Sequence, residues 1–260
     1  MYKNELSIFI SSWDGYSWIW DSFFYFFDKY WKDCPFQLYL STNQFTFNFK
    51  DLIVLKTDST NWSNMLIDNL NKVKSNYILY LQDDFLLQRV VKTEDIYEAL
   101  RISKIVDADY VKLNDREMSR RWVRNIKIRQ IKDRCGMIVH LQAAIWRRES
   151  LMNLLKPKES PWEFEKNSSK EVKSKSNNFY QTNRKLIDYY YSGAIHNKKM
   201  FIRAGKRIKK EGIYVDKEKI MSTTESLYYH TNAIYDKLPF NILVPPVVKT
   251  IIRNGLLKGN

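Results

Sequence analysis

The sequence predicts an α/β fold with a mostly parallel β-sheet flanked by helices. Strand-like apolar runs alternate with helix-like amphipathic segments along the first half of the chain, which is the pattern of βαβ units. With 260 residues, of which 15% are aromatic, the chain is long enough to bury a sizeable core. Glycine (7) and proline (6) are scarce, which excludes a disordered or fibrous protein.

The first elements follow from hydrophobic periodicity. LSIFISSW predicts a strand, and DGY predicts the turn after it. From Ser17 onwards, apolar residues at helical spacing predict a buried helix, which Pro35 ends. Its aromatic stripe is typical of a core face rather than of a ligand site. The stripe consists of Trp20, Phe23, Phe24, Phe27, Tyr30 and Trp31.

The later elements continue the alternation. FQLYLST and DLIVLKT predict strands, NWSNMLIDNLNKV a helix and NYILYLQ a central strand. TEDIYEALRISKIV predicts a helix beginning near a Thr93 cap, and DYVKL another strand. MIVHLQAAIWRRESLMNLL predicts a strand, with His140 in its middle, running into a helix. A turn at SPWEFE then precedes a Lys-, Ser- and Asn-rich segment that is expected to be mobile, and His196 is expected in a loop.

Two adjacent aspartates, Asp83 and Asp84, end the central strand in YILYLQDDFLL. Like charges side by side repel each other, and burying either without a partner is costly. One interpretation is a solvated strand end or a turn cap. The other is a site for a divalent cation or a cation-bound phosphate, since hard cations prefer carboxylate oxygens. Ligands bind beyond the carboxyl ends of the strands in such sheets, and SSWDGY also falls there.

Composition bounds the partners and the compartment. The formal net charge of +14 is compatible with nucleic acid, an anionic membrane surface or phosphorylated small molecules. The basic stretch at residues 120–134 lacks the signature of a nucleic-acid-binding module. Two distant cysteines, Cys34 and Cys135, and an opening without a secretory signal favour a cytoplasmic location. No uncharged apolar run approaches the roughly 20 residues that span a bilayer.

Three stretches together resemble the GT-A glycosyltransferases, in particular small bacterial enzymes of capsule and lipopolysaccharide assembly. The opening strand with SSWDGYSWIWDSFF resembles the nucleotide-binding start of the family, and YILYLQDDFLL resembles the strand that ends in its D-x-D motif. LQAAIWRRESLMNLL followed by SPWEFE resembles the acceptor side. The resemblance covers roughly Leu6 to Ile213 and implies a GT-A-like, Rossmann-type mixed sheet in a single α/β domain.

The resemblance also implies a donor site. Nucleotide-sugar binding is expected of Ser11, Ser12, Asp14, Tyr16, Gln82, Asp83, Arg203 and Lys206. Asp84 falls on the metal-contacting aspartate of the motif, whereas Gln82 replaces the first one. Because glutamine carries no negative charge, the expected Mn²⁺ or Mg²⁺ would be held by one carboxylate together with the diphosphate of the donor. His230 matches a region where some members bring a histidine to the metal.

A catalytic base is implied at the acidic pair of PWEFE. Glu163 is the favoured base and Glu165 its rival. In an extended chain the two side chains point the same way, whereas in a helix they do not and one is exposed. Pro161 favours a turn into a helix. A purely structural acidic pair at a helix start is the alternative.

The expected function is transfer of a sugar, with inversion, from a nucleotide-sugar donor (a UDP-sugar by default) to a saccharide or lipid-linked acceptor in bacterial surface polysaccharide synthesis. The alternatives are a metal-dependent phosphoryl-transfer enzyme and a non-catalytic basic protein that binds a polyanion or a membrane surface. The predicted domain spans residues 1–236, with a nucleotide-sugar half (1–115) and an acceptor half (116–236). Residues 237–260 form a predicted amphipathic tail that contacts the inner membrane face or packs on the domain. No nucleic acid partner is expected.

Overall fold

The computed structural model describes residues 5–114, 125–131, 137–175, 178–190 and 193–235, without the side chains of residue 175 and residues 230–235. The chain divides into two compact units, Met1–Gly193 and Ala194–Asn260. The predicted tail at 237–260 and most of the basic stretch at 120–134 lie outside the described residues. The domain boundaries drawn from the sequence therefore stay predictions.

A mixed sheet forms the centre of the first unit. Its strands are β1 (Leu6–Ser11), β2 (Gln37–Thr42), β3 (Ile53–Lys56), β4 (Tyr77–Gln82), β5 (Tyr110–Lys112), β6 (Ile128–Gln130), β7 (Ala144–Arg147) and β8 (Phe179–Thr182). Among the described residues the strand order is β3-β2-β1-β4-β7-β5-β8-β6. The first four strands run parallel, whereas β7 is antiparallel to β4 and β5, and β6 is antiparallel to β8. The predicted α/β fold with a mixed sheet is confirmed in this unit, and the mostly parallel arrangement holds for the first half of the sheet.

Helices connect these strands and contribute many of the side chains of the hydrophobic core. They are α1 (Trp20–Tyr30), α2 (Trp62–Leu70), α3 (Thr93–Ile105), α4 (Arg148–Leu154) and α5 (Pro161–Lys175). The aromatic stripe of α1 is buried as predicted, with Trp20, Phe23, Phe24 and Phe27 each at most 2% exposed. Burying each such side chain contributes about 1.5–3 kcal/mol to folding. The α1 helix is therefore a fixed support for the loop that precedes it.

Three expectations about the local structure of the first unit are wrong. Residues 161–175, expected as a turn and a mobile segment, form the helix α5, because Phe164 and Val172 pack into the core. His140 lies in an irregular segment before β7 rather than inside a strand. The α3 helix begins at Thr93, but its N-cap is Lys92, which makes no side-chain cap hydrogen bond.

The second unit is a small basic module. It contains the hairpin β9 (Ile195–His196) and β10 (Lys199–Met200), followed by α6 (Ile202–Lys210), a 3₁₀ turn (Lys217–Lys219) and α7 (Thr223–Tyr235). His196 therefore belongs to a strand instead of the expected loop, and its ring contacts Tyr229 at a centroid distance of 4.6 Å. Within the described part of the chain, no helix has both the length and the apolar run needed to cross a membrane.

Candidate active site

The carboxyl ends of β1 and β4 bring two predicted site segments side by side. Ser11 pairs with Gln82 in the parallel register of these strands. The chain then leaves β1 through Ser12 and leaves β4 through Asp83, whose backbone N–H donates to the Ser11 carbonyl at 3.2 Å. The structure thus brings together four residues that the sequence assigned to one site. These residues lie at the sheet edge where open α/β sheets bind ligands.

Asp83 is held by a chain of hydrogen bonds that starts in α1. The Trp20 indole N–H donates to Ser12 Oγ at 2.7 Å, and the Ser12 hydroxyl donates to Asp83 Oδ2. Asp83 is only 4% exposed. Burial and the adjacent charge of Asp84 raise the pKa of Asp83 well above its usual value, and the hydrogen bonds from Ser12 and Trp20 offset this only in part.

Asp84 lies next to the backbone of Gly193. A methyl group added at Gly193 would collide with the Asp84 carboxylate, and the backbone of Gly193 has a φ of +80°. Both facts require glycine at this position, because L-residues with a side chain rarely adopt that φ. Asp84 is 8% exposed, so the two adjacent carboxylates are both buried. The interpretation of a solvated strand end is therefore wrong.

Tyr189 ties the turn after Asp84 to the start of β7. Its ring stacks on Phe85 at a centroid distance of 4.0 Å and an interplanar angle of 15°. Its hydroxyl donates to Gln142 Oε1 at 2.6 Å and accepts from the Ala143 N–H at 3.0 Å. Sequence reasoning missed Tyr189 and Gly193, although the cluster YYYSG after a strand was an available signal.

The loop after β1 is held by Asp14 and presents an aromatic residue. Asp14 Oδ1 accepts hydrogen bonds from Thr42 Oγ1 at 2.5 Å and from the Asn43 N–H at 3.1 Å. Burial raises the pKa of Asp14, but these and neighbouring hydrogen bonds outweigh it and hold the pKa below its usual value. Asp14 thereby anchors the loop to the end of β2. Trp13 stands 42% exposed beside Tyr16, with ring centroids 5.5 Å apart.

The two acidic residues of α5 have different surroundings. Glu163 is exposed, and its Oε2 accepts hydrogen bonds from the Ser160 N–H at 2.8 Å and the Ser160 hydroxyl at 2.7 Å. The Glu163 N–H in turn donates to Ser160 Oγ at 3.3 Å, which completes a capping box at the helix start. These hydrogen bonds lower the pKa of Glu163. Glu163 therefore stabilises the start of α5.

Glu165 points inward, towards the face of the sheet. Its Oε1 accepts a hydrogen bond from the Leu141 N–H at 2.6 Å. Burial raises the pKa of Glu165, against the opposing effects of that hydrogen bond and of the Lys112 charge. The Glu165 charge also acts on the buried phenol of Tyr80 in β4, whose pKa is raised to about 12, chiefly by burial. Glu165 thus lies near the carboxyl ends of β4 and β5.

The remaining predicted residues belong to the second unit. Arg203 and Lys206 are exposed on α6, and His230 lies in α7 with a side chain outside the description. Their parts in donor or metal binding stay predictions. Among the described residues, no group of three or more His, Cys, Asp or Glu side chains could enclose a metal ion. His140 is held neutral, because burial and Lys112 lower its pKa to about 4.

The carboxylate pair fits a hard cation that keeps other ligands. Mg²⁺ is commonly held by one or two carboxylates together with waters and substrate phosphates. Asp83 and Asp84 are carboxylates of the type that could contribute to such a donor set. A site made entirely of protein ligands is not supported by the described residues.

The described residues form an α/β fold in which two buried carboxylates, Asp83 and Asp84, follow the central strand β4. No described protein family and no curated protein matches the sequence. Among solved structures, the chain is similar to S. aureus TarS 1-349, with a TM-score of 0.46 and 13% identity, over 70% of this chain and 59% of that chain. TarS 1-349 in complex with UDP-GlcNAc gives a TM-score of 0.44 and 14% identity, over 91% and 76% of the two chains. A cytidylyltransferase from Leptospira borgpetersenii gives 0.40 and 12%, over 80% and 95%.

The chain spans about three fifths of the length of the first TarS structure. Similarity at this distance carries no argument about activity. The activity has to be argued from the site.

Proposed function

We propose that this protein is a glycosyltransferase that moves a sugar, with inversion, from a nucleotide-sugar donor to a saccharide acceptor. The observation that carries the proposal is the buried pair Asp83 and Asp84 at the carboxyl end of β4. A buried pair of adjacent carboxylates is costly unless a positive charge offsets it. A cation that also binds a diphosphate provides that charge.

The donor nucleotide would lie along the loop after β1. Exposed Trp13 and its neighbour Tyr16 offer apolar faces on which a base can stack. The amide of Gln82 lies at the same sheet edge and suits ribose or phosphate oxygens. Ser12 gives its hydroxyl proton to Asp83 and would position that carboxylate beside the donor. UDP remains the default nucleotide, and TarS structures with UDP and UDP-GlcNAc are among the neighbours.

Asp84, with Asp83 beside it, would hold a Mn²⁺ or Mg²⁺ ion. When bound, such an ion neutralises the charge that develops on the leaving diphosphate. The protein's own contribution is to hold Asp83 through the hydrogen bond from Ser12 and to leave room for the Asp84 carboxylate beside Gly193. A negatively charged carboxylate in place of the Gln82 amide would increase the affinity for the ion.

Glu165 is the proposed catalytic base, in preference to Glu163. Its oxygen would take the proton of the acceptor hydroxyl as that oxygen bonds to the anomeric carbon. The bond from that carbon to the diphosphate oxygen breaks on the opposite face, and the diphosphate leaves with the electron pair. A base works best when its pKa lies near the working pH, and burial moves the pKa of Glu165 in that direction.

The pathway and the location belong to the same proposal. Transfer to a saccharide or lipid-linked acceptor in bacterial capsule or lipopolysaccharide synthesis would take place in the cytoplasm, at the inner face of the membrane.

Release of the nucleoside diphosphate from a panel of nucleotide sugars tests the proposal, since water can replace the acceptor hydroxyl. We expect release from one donor class, dependent on Mn²⁺ or Mg²⁺ and lost in Asp84→Asn. Asp109→Asn is the control, because Asp109 precedes the amino end of β5 whereas the site lies at the carboxyl ends of the strands. This variant should retain release. If no nucleotide sugar is consumed with any saccharide acceptor added, or if the Asp84→Asn variant keeps full activity, the proposal is wrong.

A further inference from the structure

The second unit carries a strong excess of positive charge. Between Ala194 and Tyr235, nine lysine and arginine residues stand against four aspartate and glutamate residues. The α6 helix has the sequence IRAGKRIKK, so five of its nine residues are basic and none is acidic. The donor site described above does not account for this concentration of charge.

The charges of α6 form one exposed face. Ala204, Gly205 and Ile208 are buried on the other face, and a methyl group added at Gly205 would lie 2.8 Å from Ile220 Cδ1. The apolar face of the helix is thus already packed within its own unit. A helix of this kind does not insert into a bilayer, but it holds its opposite face rigidly outward.

Arg203, Lys206 and Lys210 follow at helical spacing on that outward face, with Lys209 at its edge. All four side chains are exposed. Like charges three and four residues apart on a helix repel each other, whereas cations in the last turn are favoured by the helix dipole. An anionic surface lying against this face would relieve the repulsion. In the described part of the chain, the lysines at 206, 209 and 210 form no ion pair.

We propose that the exposed face of α6 docks on the anionic lipid headgroups of a membrane surface. Tyr214, which follows α6 and is 85% exposed, supplies an aromatic ring of the type enriched at membrane interfaces. This combination favours lipid over nucleic acid, because no nucleic-acid-binding signature accompanies the basic residues. The proposal is independent of the transferase assignment and would stand without it.

Sedimentation of the full chain with vesicles tests this docking. We expect binding to vesicles of phosphatidylcholine mixed with phosphatidylglycerol, weak binding to phosphatidylcholine alone, and loss of binding as salt rises. Each lysine near an anionic surface strengthens binding by about fivefold. The double variant Lys209→Glu/Lys210→Glu should therefore bind at least about 25-fold more weakly.

A matched variant separates local docking from net charge. Lys166→Glu/Lys170→Glu makes the same change in charge on exposed positions of α5 and should retain most of the binding. Thermal melting shows whether both variants are folded. Equal losses in the two double variants, or equal binding of the wild type to neutral and anionic vesicles, would overturn the proposal. Binding to a polynucleotide without binding to anionic vesicles would overturn it as well.

Discussion

Asp83 is a single buried carboxylate whose charge lowers the free energy of unfolding. Its folded pKa is raised well above the ordinary value of 3.8, so the folded state binds its proton more tightly than the unfolded state does. The stability linked to this group is fully present below the unfolded pKa and is lost as pH rises through the folded pKa. At neutral pH, Asp83 is therefore a cost to the fold.

We expect Asp83→Asn to melt at a higher temperature than the wild type at pH 7, because the amide removes the buried charge and keeps an acceptor for Ser12. A gain of about 1 kcal/mol corresponds to about 2–4 °C. The difference should shrink as pH falls towards the ordinary pKa of aspartate. Melting curves across this pH range check the prediction, and a lower melting temperature for the variant at pH 7 would contradict it.

Gly193 provides a second test at the same scale. We expect Gly193→Ala to lose about 1–2 kcal/mol from backbone strain and, in addition, to displace the Asp84 carboxylate. Gly212 is a matched control, since its φ is +77° with no atom within 4 Å of an added methyl group. Gly212→Ala should show the strain alone. Metal-dependent nucleotide binding, measured by titration calorimetry, should be lost only in the Gly193 variant, and equal binding by both variants would contradict the account.

Glu165 and Glu163 distinguish a base from a helix cap. We expect Glu165→Gln to slow sugar transfer by about 10²–10⁴-fold, the usual contribution of a general base, while Glu163→Gln changes it little. In the wild type, kcat/KM should rise with pH through the pKa of Glu165, which lies above the ordinary 4.5, because the base must be ionised. A larger loss in Glu163→Gln would restore the first assignment made from the sequence.

At the scale of elements, Tyr189 joins the turn after β4 to the start of β7. We expect Tyr189→Phe to lower the free energy of unfolding by about 1–2 kcal/mol, because it leaves the buried Ala143 N–H without its acceptor. Tyr189→Leu should cost a further 0.5–1.5 kcal/mol or so, since it also removes the ring stack on Phe85. Urea unfolding measures both values, and equal stability of the two variants would argue against the stack.

The elements also show what a sequence pattern can and cannot predict. The β1–α1 and β4 segments were predicted closely, because their periodicity is local and their apolar faces are strong. The direction of β7 and β6 depends on partners distant in sequence, which local periodicity does not reveal. A turn into a helix at Pro161 was expected, but the extent of α5 was missed because tertiary contacts stabilise its polar sequence. For example, Ser169 Oγ accepts the N–H groups of Ile138 and Val139 at 3.0 and 2.9 Å.

Some features of the candidate site could likewise be predicted from the sequence, and others could not. The meeting of Ser12 with Asp83 followed from two parallel strands that end at one edge of the sheet. The contact of Gly193 with Asp84 joins positions more than a hundred residues apart in the chain, and no spacing rule indicates it. The choice between Glu163 and Glu165 required the capping hydrogen bonds of Ser160, because the sequence supported either residue.

At the scale of the whole molecule, the net charge of +14 suits a protein whose proposed donor and membrane surface are both anionic. Such charge raises the rate of encounter with anionic ligands and makes that rate fall with ionic strength. Charge alone does not distinguish a transferase from a polyanion-binding protein. A nucleotide site that depends on Asp84 does distinguish them.

The most direct measurement is thermal stabilisation by UDP, GDP, CMP, dTDP and ATP, each with Mn²⁺ or with a chelator, on the wild type and on Asp84→Asn. A ligand that binds the folded state raises the melting temperature, and the rise grows with the logarithm of its concentration relative to its Kd. We predict stabilisation by one nucleoside diphosphate in the presence of the metal, lost in Asp84→Asn. Stabilisation by no nucleotide, or equal stabilisation of the variant, would contradict the proposal that the two buried aspartates bind a nucleotide-sugar donor.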